Sequence, residues 1–355
     1  MRKVRWGVVG VAKIAVEQVI PAMRQTARGE VVAIASRDLG RARAAAARLG
    51  LPKAYGSYDA LLADPEIDAV YNPLPNHLHV PLSVEAAERG KHVLCEKPIG
   101  LSAVEVERLI EVRDRTDVKI QEAFMVVTHP QWLRAIDFCR SGRIGEVQAY
   151  LGAFSYFNDD PANIRNVPAY GGGGLMDIGC YLVTTSRLVF GELPVRVACL
   201  IERDPASGVD VVTSILLDYP SGHAAGVCST RMVPYQRVQI LGTRGRIEIE
   251  IPFNAPPDRP CRIFVDDGRD VFGTGIETIA MPTCDQYAIQ GDRFSQAIQD
   301  GTDLAWPLER SLENMRVIDA LFRAAGGGGW EAVGSSRRPP APKDRRTQDS
   351  GPRTS

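Results

Sequence analysis

The stretch "VRWGVVGVAKIA", residues 4–15, decides the fold. Its first half, "VRWGVVG" over 4–10, is rich in β-branched and aromatic residues and reads as a strand. At Gly10 the strand pattern stops, and a helical pattern runs to about Arg24. A strand turning tightly into a helix is half of a βαβ unit, and the next hundred residues repeat the alternation. "EVVAIAS" (30–36) precedes the Ala/Arg-rich "LGRARAAAARLG", "KAYGS" precedes "YDALLAD", and "DAVYNPLP" precedes "PLSVEAAERG". "KHVLCEKP" then precedes "SAVEVERLIEVRDRT", and "VKIQEAFM" closes the series. Strands separated by helices in this way predict an α/β fold over residues 1–125, a doubly wound parallel (Rossmann) sheet with helices on both faces.

After Met125 the pattern changes. A helix over about 130–141 leads into long alternating runs such as "EVQAYLGAFSYF", "DVVTSILLDYP" and "RVQILGTRGRIEIEIP". Residues 126–330 therefore read as a second, α+β domain with a large open, mostly antiparallel sheet. Hairpin turns such as "TRGR" join its strands, and a helix over 175–190 covers one face. "DQYAIQGDRFSQAIQDG" and "LERSLENMRVIDALFRAA" predict two closing helices. Residues 335–355 are polar, basic and proline-rich, and are expected to be a disordered tail.

The 42 Lys and Arg against 43 Asp and Glu are evenly spread, which argues against a nucleic-acid partner. No run approaches the ~20 apolar residues of a membrane span. The opening "MRKVRWGVVG" meets Lys13 and Glu17 too soon to be an export signal, so a cytoplasmic location is expected. The seven cysteines are dispersed without a C-x-x-C pair or a Cys/His cluster. Cys95, Cys139 and Cys180 read as core residues. His77 and His79 have no third ligand in sequence, so no metal is expected.

The turn after the first strand is where such a sheet takes a pyrophosphate. The G-x-G-x-x-G fingerprint stands here as Gly10-x-Ala12-x-x-Ala15, with Lys13 and Ile14 inside the turn. The second strand ends in "ASRD". Ser36 occupies the place of the acid that would bind a ribose 2′-hydroxyl, and Arg37 and Arg41 follow. A hydroxyl and two guanidinium forks suit a 2′-phosphate, which predicts NADP over NAD, with NAD still possible. Asp38 is expected to point away from them. "NPLPNHLH" and "LCEKP" fall at the carboxyl ends of the fourth and fifth strands. They place Pro73, Leu74, Asn76, His79, Glu96 and Lys97 at the ligand-binding edge.

"GGGGLMDIGCYLV", residues 171–183, sets Asp177 and Tyr181 at i and i+4 of an apolar helix. On an α-helix both tips share a face, and the plainest outcome is a buried Asp–Tyr hydrogen bond. Gly179 between them weakens the helix, which asks for a close packing contact there.

The degenerate glycine turn, "PLPNHLH", "EKP" and "GGGGLMDIGCY" together resemble the Gfo/Idh/MocA family of nicotinamide-dependent oxidoreductases, over roughly residues 3 to 325. The resemblance implies that Lys97, Asp177 and Tyr181 form the active site. Tyrosine at 181, where many members carry histidine, is similar to one subgroup. That subgroup contains NADP-dependent D-xylose dehydrogenase, glucose–fructose oxidoreductase and dimeric dihydrodiol dehydrogenase. Its segment also matches "NDDPANIRNVPAY", which implies that Asn163 and Arg165 lie near nicotinamide or substrate. The resemblance does not reach the long N-terminal arm and export signal of glucose–fructose oxidoreductase, so a tightly held, self-recycled cofactor is not implied.

Oxidation of a hydroxylated carbon needs a base for the hydroxyl proton. Tyr181 is expected to be that group, with Lys97 lowering its pKa and donating to the substrate oxygen; the two roles could be exchanged. Asp177 is expected to anchor a substrate hydroxyl and orient Lys97. Tyr156 and Tyr287 are candidate sugar-facing residues. The expected activity is NADP-dependent oxidation of an aldose such as D-xylose at the anomeric carbon, giving the lactone. Alternatives are a trans-dihydrodiol dehydrogenase, an NADPH-dependent keto-sugar reductase, and a nucleotide-sensing regulator without catalysis. The retained Lys97, Asp177 and Tyr181 stand against the last. The open face of the second sheet is expected to join copies into a homodimer or homotetramer.

Overall fold

The structure, a computed structural model, describes residues 2–334; the tail expected at 335–355 lies outside them. The first sheet is built of β1 (Val4–Val9), β2 (Gly29–Ala35), β3 (Lys53–Tyr55), β4 (Ala69–Asn72), β5 (His92–Cys95) and β6 (Ile120–Glu122). All pair in parallel in the order β3-β2-β1-β4-β5-β6, the doubly wound arrangement expected. Trp6, Val8, Ile34, Val70 and Val93 are buried, because helices cover both faces of a parallel sheet. The chain order reverses between β1 and β4, which opens a crevice at the carboxyl ends of the strands.

The second sheet contains β7 (Val147–Phe157), β8 (Arg196–Arg203), β9 (Asp210–Tyr219), β10 (Gly222–Ser229) and β11 (Arg231–Gly242). It continues with β12 (Arg246–Ile249), β13 (Cys261–Asp266), β14 (Ile276–Met281) and β15 (Glu331–Ala332). The order is β14-β13-β12-β11-β7-β10-β9-β8-β15, antiparallel except where β7 meets β10. Two edge strands, β14 and β15, lie outside the sequence expectation; neither carries the alternation that a half-buried strand needs. "RMVPYQRVQILG" forms one continuous strand. The ladder shifts register between Arg231 and Tyr235, and that irregularity accommodates Pro234, which has no N–H to donate.

Side chains alternate across this sheet. Tyr150 and Phe154 point inward, whereas Leu151, Leu200 and Leu216 are exposed on the outer face. The helix Cys180–Phe190 packs on the inner face, and a Cβ at Gly152 or Gly226 would lie 2.8 or 2.9 Å from a Leu182 methyl. The two closing helices do more than cap the second sheet. Helix Gln286–Asp300 docks on the first sheet, where Phe294 packs at 5.4 Å on Trp6 and Trp6 Nε1 donates to Ser295 Oγ at 3.1 Å. Helix Leu308–Gly327 is bonded to both halves: Asp319 accepts from the Ala103 N–H at 3.0 Å, and Asn314 donates to Thr184 Oγ1 at 2.8 Å.

This docking predicts that Phe294→Ala costs ~3–5 kcal/mol, the usual cost of deleting a buried aromatic side chain. Urea unfolding should show it, and Val104→Ala on an exposed helix face should leave the midpoint unchanged.

Candidate active site

The residues expected to hold cofactor or substrate, from Gly10 and Ala12 to Tyr181 and Tyr287, border one cleft of ≈ 1730 Å³, between the carboxyl edge of the first sheet and the inner end of the second. That exceeds the ~300–1000 Å³ of an ordinary single-ligand pocket, and leaves room for a dinucleotide beside a second molecule.

At the first βα turn, Gly10 has φ +106°, a conformation that other residues rarely adopt, and a Cβ there would stand 2.8 Å from Leu74 Cδ2. The strand end thus lies open at the helix start, where the first N–H groups lack intrahelical acceptors and can hold a phosphate. Ser36 is buried at the tip of β2, and Arg37 and Arg41 beside it are exposed with no ion pair among the described residues. Asp38 caps the helix Leu39–Leu49: its Oδ1 accepts the Arg41 N–H at 3.0 Å, and its own N–H donates to Ser36 Oγ. It makes no ion pair with either guanidinium among the described residues. This cradle, a glycine-lined helix start with unpaired arginines one strand away, fits a dinucleotide with a 2′-phosphate.

His79 departs from its expected role. It is buried, with Nδ1 2.7 Å from the Pro98 oxygen and Nε2 2.6 Å from the Leu74 oxygen. Burial pushes its pKa down to about 4. The neutral ring donates through one nitrogen to one of these two carbonyl oxygens, and both nitrogens are enclosed between the two cofactor-side loops. Asn72 braces the same loop, accepting the Leu74 N–H and donating to the His79 oxygen. Glu96, partly exposed to the cleft, accepts from the Tyr71 hydroxyl at 2.6 Å, and desolvation raises its pKa.

Asp177 is the junction of the reactive end. Its Oδ2 accepts from the Tyr156 hydroxyl at 2.5 Å and faces Arg165 Nε at 2.9 Å; its Oδ1 lies 3.5 Å from Lys97 Nζ. Lys97 Nζ also donates to the Asp177 carbonyl at 2.6 Å. Burial pushes this carboxyl up, but Lys97, Arg165 and the Tyr156 hydroxyl outweigh it and hold the pKa at about 2. The expected Asp177–Tyr181 hydrogen bond is absent; the tyrosine on Asp177 is Tyr156. The reason is local. Leu175–Gly179 is a wide π-type turn, in which the i, i+4 register of an α-helix does not hold. Tyr181 instead lies among Phe124, Phe154 and Phe253, and its hydroxyl donates to Met125 Sδ at 3.4 Å.

Lys97 Nζ stands 4.8 Å from the Tyr181 ring centroid, a cation–π contact. The expected lowering of the phenol pKa is not what the geometry delivers. Burial, with Tyr287 and Glu96 nearby, pushes Tyr181 well above its ordinary value. A neutral phenol and an ammonium side by side can both donate to one substrate oxygen. Asn163 uses its side-chain oxygen to accept the Arg165 N–H at 3.1 Å, so it shapes the segment that delivers Arg165.

The glycine run explains itself by close approaches. A Cβ at Gly172 would lie 2.5 Å from the Arg165 carbonyl oxygen, and one at Gly173 would overlap the Asp210 carboxylate. Gly179 meets Leu175 and Cys228 in the same way, which accounts for a glycine within the helix. Asp210, buried, accepts the Leu175 N–H at 2.6 Å and so fixes the start of the segment carrying Asp177. Sequence reasoning missed Asp210, Met125 and Phe253. They come from three distant segments, and nothing local marks them.

A phosphate cradle leading to a part-buried Lys–Asp–Tyr group defines a nicotinamide-dependent oxidoreductase. Residues 4–124 match the oxidoreductase family with an NAD-binding Rossmann fold (GFO_IDH_MocA), and residues 132–248 match the GFO/IDH/MocA C-terminal domain. The chain belongs to the Gfo/Idh/MocA family. It is 50% identical to the uncharacterized oxidoreductase ORF334 of Rhizobium meliloti, over 94% of this chain and 100% of that protein. It is 41% identical to D-xylose 1-dehydrogenase (NADP(+)) 2 of Haloferax volcanii, over 90% of this chain and 97% of that one. Among solved structures it resembles KijD10, a 3-ketoreductase from Actinomadura kijaniata in complex with NADP and TDP-benzene. There the TM-score is 0.84 at 30% identity, covering 90% of this chain and 97% of that one. KijD10 has also been crystallised with a lysine or a tyrosine replaced, at positions as far apart along its chain as Lys97 and Tyr181.

Because Asp177 is held at about 2 against an ordinary 3.8, its ionised form stabilises the fold by ~2 kcal/mol at neutral pH. That contribution is present above about pH 4 and is lost as pH falls through about 2. Asp177→Asn should lower the urea midpoint at pH 7, and its deficit against wild type should shrink as the medium is acidified.

Proposed function

We propose that this protein is an NADP-dependent sugar dehydrogenase that oxidises an aldose of the D-xylose kind at its anomeric carbon to the lactone. The carrying observation is the meeting of Lys97 Nζ, the Asp177 carboxylate and Tyr181 at the floor of the cleft whose other end holds the unpaired Arg37 and Arg41. The relation to the Haloferax volcanii enzyme supports the substrate class and the cofactor.

A bound oxidised nicotinamide would supply the acceptor for the hydride leaving the anomeric carbon. Arg37 and Arg41, with Ser36, would hold the 2′-phosphate, and the turn at Gly10 would hold the pyrophosphate. Lys97 donates to the reacting oxygen, and its position is fixed by the Asp177 carbonyl. Asp177 keeps Arg165 and Tyr156 turned toward the sugar and accepts from one of its hydroxyls; Tyr287 borders the opposite side. Tyr181 takes the hydroxyl proton in oxidation and returns it in reduction. Its aromatic surroundings exclude water but keep the phenol protonated at neutral pH, so oxidation draws on a small phenolate fraction that grows with pH. The same protonated phenol is well set to donate to a carbonyl. That observation, together with the likeness to KijD10, favours NADPH-dependent keto-sugar reduction as the second reading.

The exposed Leu151, Leu200, Leu216 and Tyr235 on the outer face of the second sheet support assembly with a second copy through that face. Seven free cysteines without a disulfide support a cytoplasmic setting. No described helix is long and apolar enough to cross a membrane.

The test is reduced-nicotinamide absorbance with D-xylose, D-glucose and a keto-sugar. Oxidation by NADP should rise toward alkaline pH, and reduction should fall. Lys97→Met and Tyr181→Phe should each lower kcat by ~10²-fold or more while NADPH binding persists. Unchanged turnover in both variants would refute the reading. Arg37→Ala should raise KM for NADP by ~10-fold, the worth of one charge-assisted contact, and leave KM for NAD unchanged.

A further inference from the structure

Among the described residues the Tyr181 hydroxyl has one hydrogen-bond partner, and it is a weak one. The side chain is 4% exposed among Phe124, Phe154 and Phe253, and its hydroxyl donates to Met125 Sδ at 3.4 Å. A thioether accepts weakly and has no proton to give. Without it the hydroxyl would be a buried donor with nothing to bond. A carboxylate or an amide oxygen in its place would hold the proton more firmly, and an arriving substrate would have to displace it.

Met125 is itself held in place. It opens the turn Met125–Thr128 just after β6, is 3% exposed, and borders the cleft beside Tyr181. Gln290 takes its N–H. With the amide oriented to satisfy both its ends, the Gln290 oxygen accepts from Met125 at 3.1 Å and from Phe124 at 3.2 Å. Gln290 is 4% exposed on helix Gln286–Asp300. One turn before it Tyr287 borders the cleft, and one turn after it Phe294 packs on Trp6. A single side chain thus fixes the sulfur that receives the Tyr181 hydroxyl and the Phe124 ring that stands edge-on to Tyr181 at 5.4 Å. The docked helix, and not the short turn alone, sets where that sulfur lies.

We propose that Met125, braced by Gln290, is a positioning residue for Tyr181: its sulfur holds the hydroxyl at the cleft wall and yields it to the substrate oxygen. This rests on the reading of Tyr181 as the proton-transfer group. The thioether fixes the direction of the O–H before substrate arrives. The phenol then exchanges a weak acceptor for a stronger one, and no covalent bond changes at sulfur. A residue that only filled space at 125 could be replaced by another apolar side chain of similar volume without effect.

Met125→Leu makes that replacement, keeping the volume and removing the acceptor. Urea unfolding reads the contact without substrate. Met125→Leu strands the hydroxyl and should lower the midpoint. Adding Tyr181→Phe removes the stranded group, so the double variant should unfold at higher urea than Met125→Leu. In the wild type, Tyr181→Phe should lower the midpoint instead. Additive shifts overturn the proposal. With D-xylose and NADP, Met125→Leu should lower kcat about tenfold at unchanged KM for NADP. In the Tyr181→Phe background it should cost nothing further; an equal loss in both backgrounds makes Met125 a mere wall of the cleft and is equally fatal. Gln290→Met keeps the length but not the acceptor. It should reproduce the kcat loss and add nothing to Met125→Leu, and an unchanged kcat removes Gln290 as the brace. Full turnover by Tyr181→Phe would sink the functional reading, while the urea cycle would still decide whether Met125 holds the hydroxyl.

Discussion

The ionised carboxylate of Asp177, nearly sealed from water, is the constraint on which the reactive end depends. An unpaired charge in such a place would neutralise or drive local rearrangement. Three partners prevent this, and each comes from a different part of the chain: Lys97 from the loop after β5, Tyr156 from β7, and Arg165 from the segment between β7 and the glycine run. Satisfying one carboxylate therefore brings the parallel sheet, the antiparallel sheet and the connecting segment together. The same contacts that keep the charge also aim the lysine, the guanidinium and one phenol into the cleft. Stability and site geometry are here one set of hydrogen bonds.

The other desolvated carboxyls around the site show what happens where such partners are missing. Glu96 has the Tyr71 hydroxyl, Asp210 has the Leu175 N–H and the Thr213 hydroxyl, and Glu122 has the Ile99 N–H. None of these has an arginine or lysine within ion-pair distance among the described residues, and burial moves all three pKa values upward. The acid held by two cations stays charged, and those without one are pushed toward neutrality. Environment rather than residue type separates their roles.

The cleft is also divided along its length. At the end expected to hold the adenosine moiety, exposed arginines stand in water, where a phosphate can reach them and where their charge costs little before it binds. At the reactive end, Tyr181 is enclosed by Phe124, Phe154 and Phe253 with only a sulfur for its hydroxyl. A dry, aromatic floor strengthens each charge–dipole contact made there, and it also resists forming a phenolate. This tension is the physical origin of the pH behaviour assigned to Tyr181.

Local pattern in the sequence was enough for the first sheet, strand by strand, because parallel strands buried on both faces announce themselves as apolar runs between helices. It was enough for the loop residues at the carboxyl strand ends too, since those ends face the ligand edge in such a sheet. The glycine run was legible as a close approach, though not what it approached. What only the tertiary structure decided was pairing. The sequence spacing of Asp177 and Tyr181 suggested that they meet, but a π-type turn breaks the helical register and hands Asp177 to Tyr156, twenty-one residues earlier. The pKa of Tyr181 moves opposite to the expectation, because the burial of a phenol depends on rings from three separate segments. Asp38 becomes a helix cap, His79 a loop brace, and Glu122 an acceptor for the Ile99 N–H. Composition and periodicity specify which residues are buried or exposed along an element. Which buried polar group finds which partner depends on contacts across the fold, and no local stretch of sequence records those.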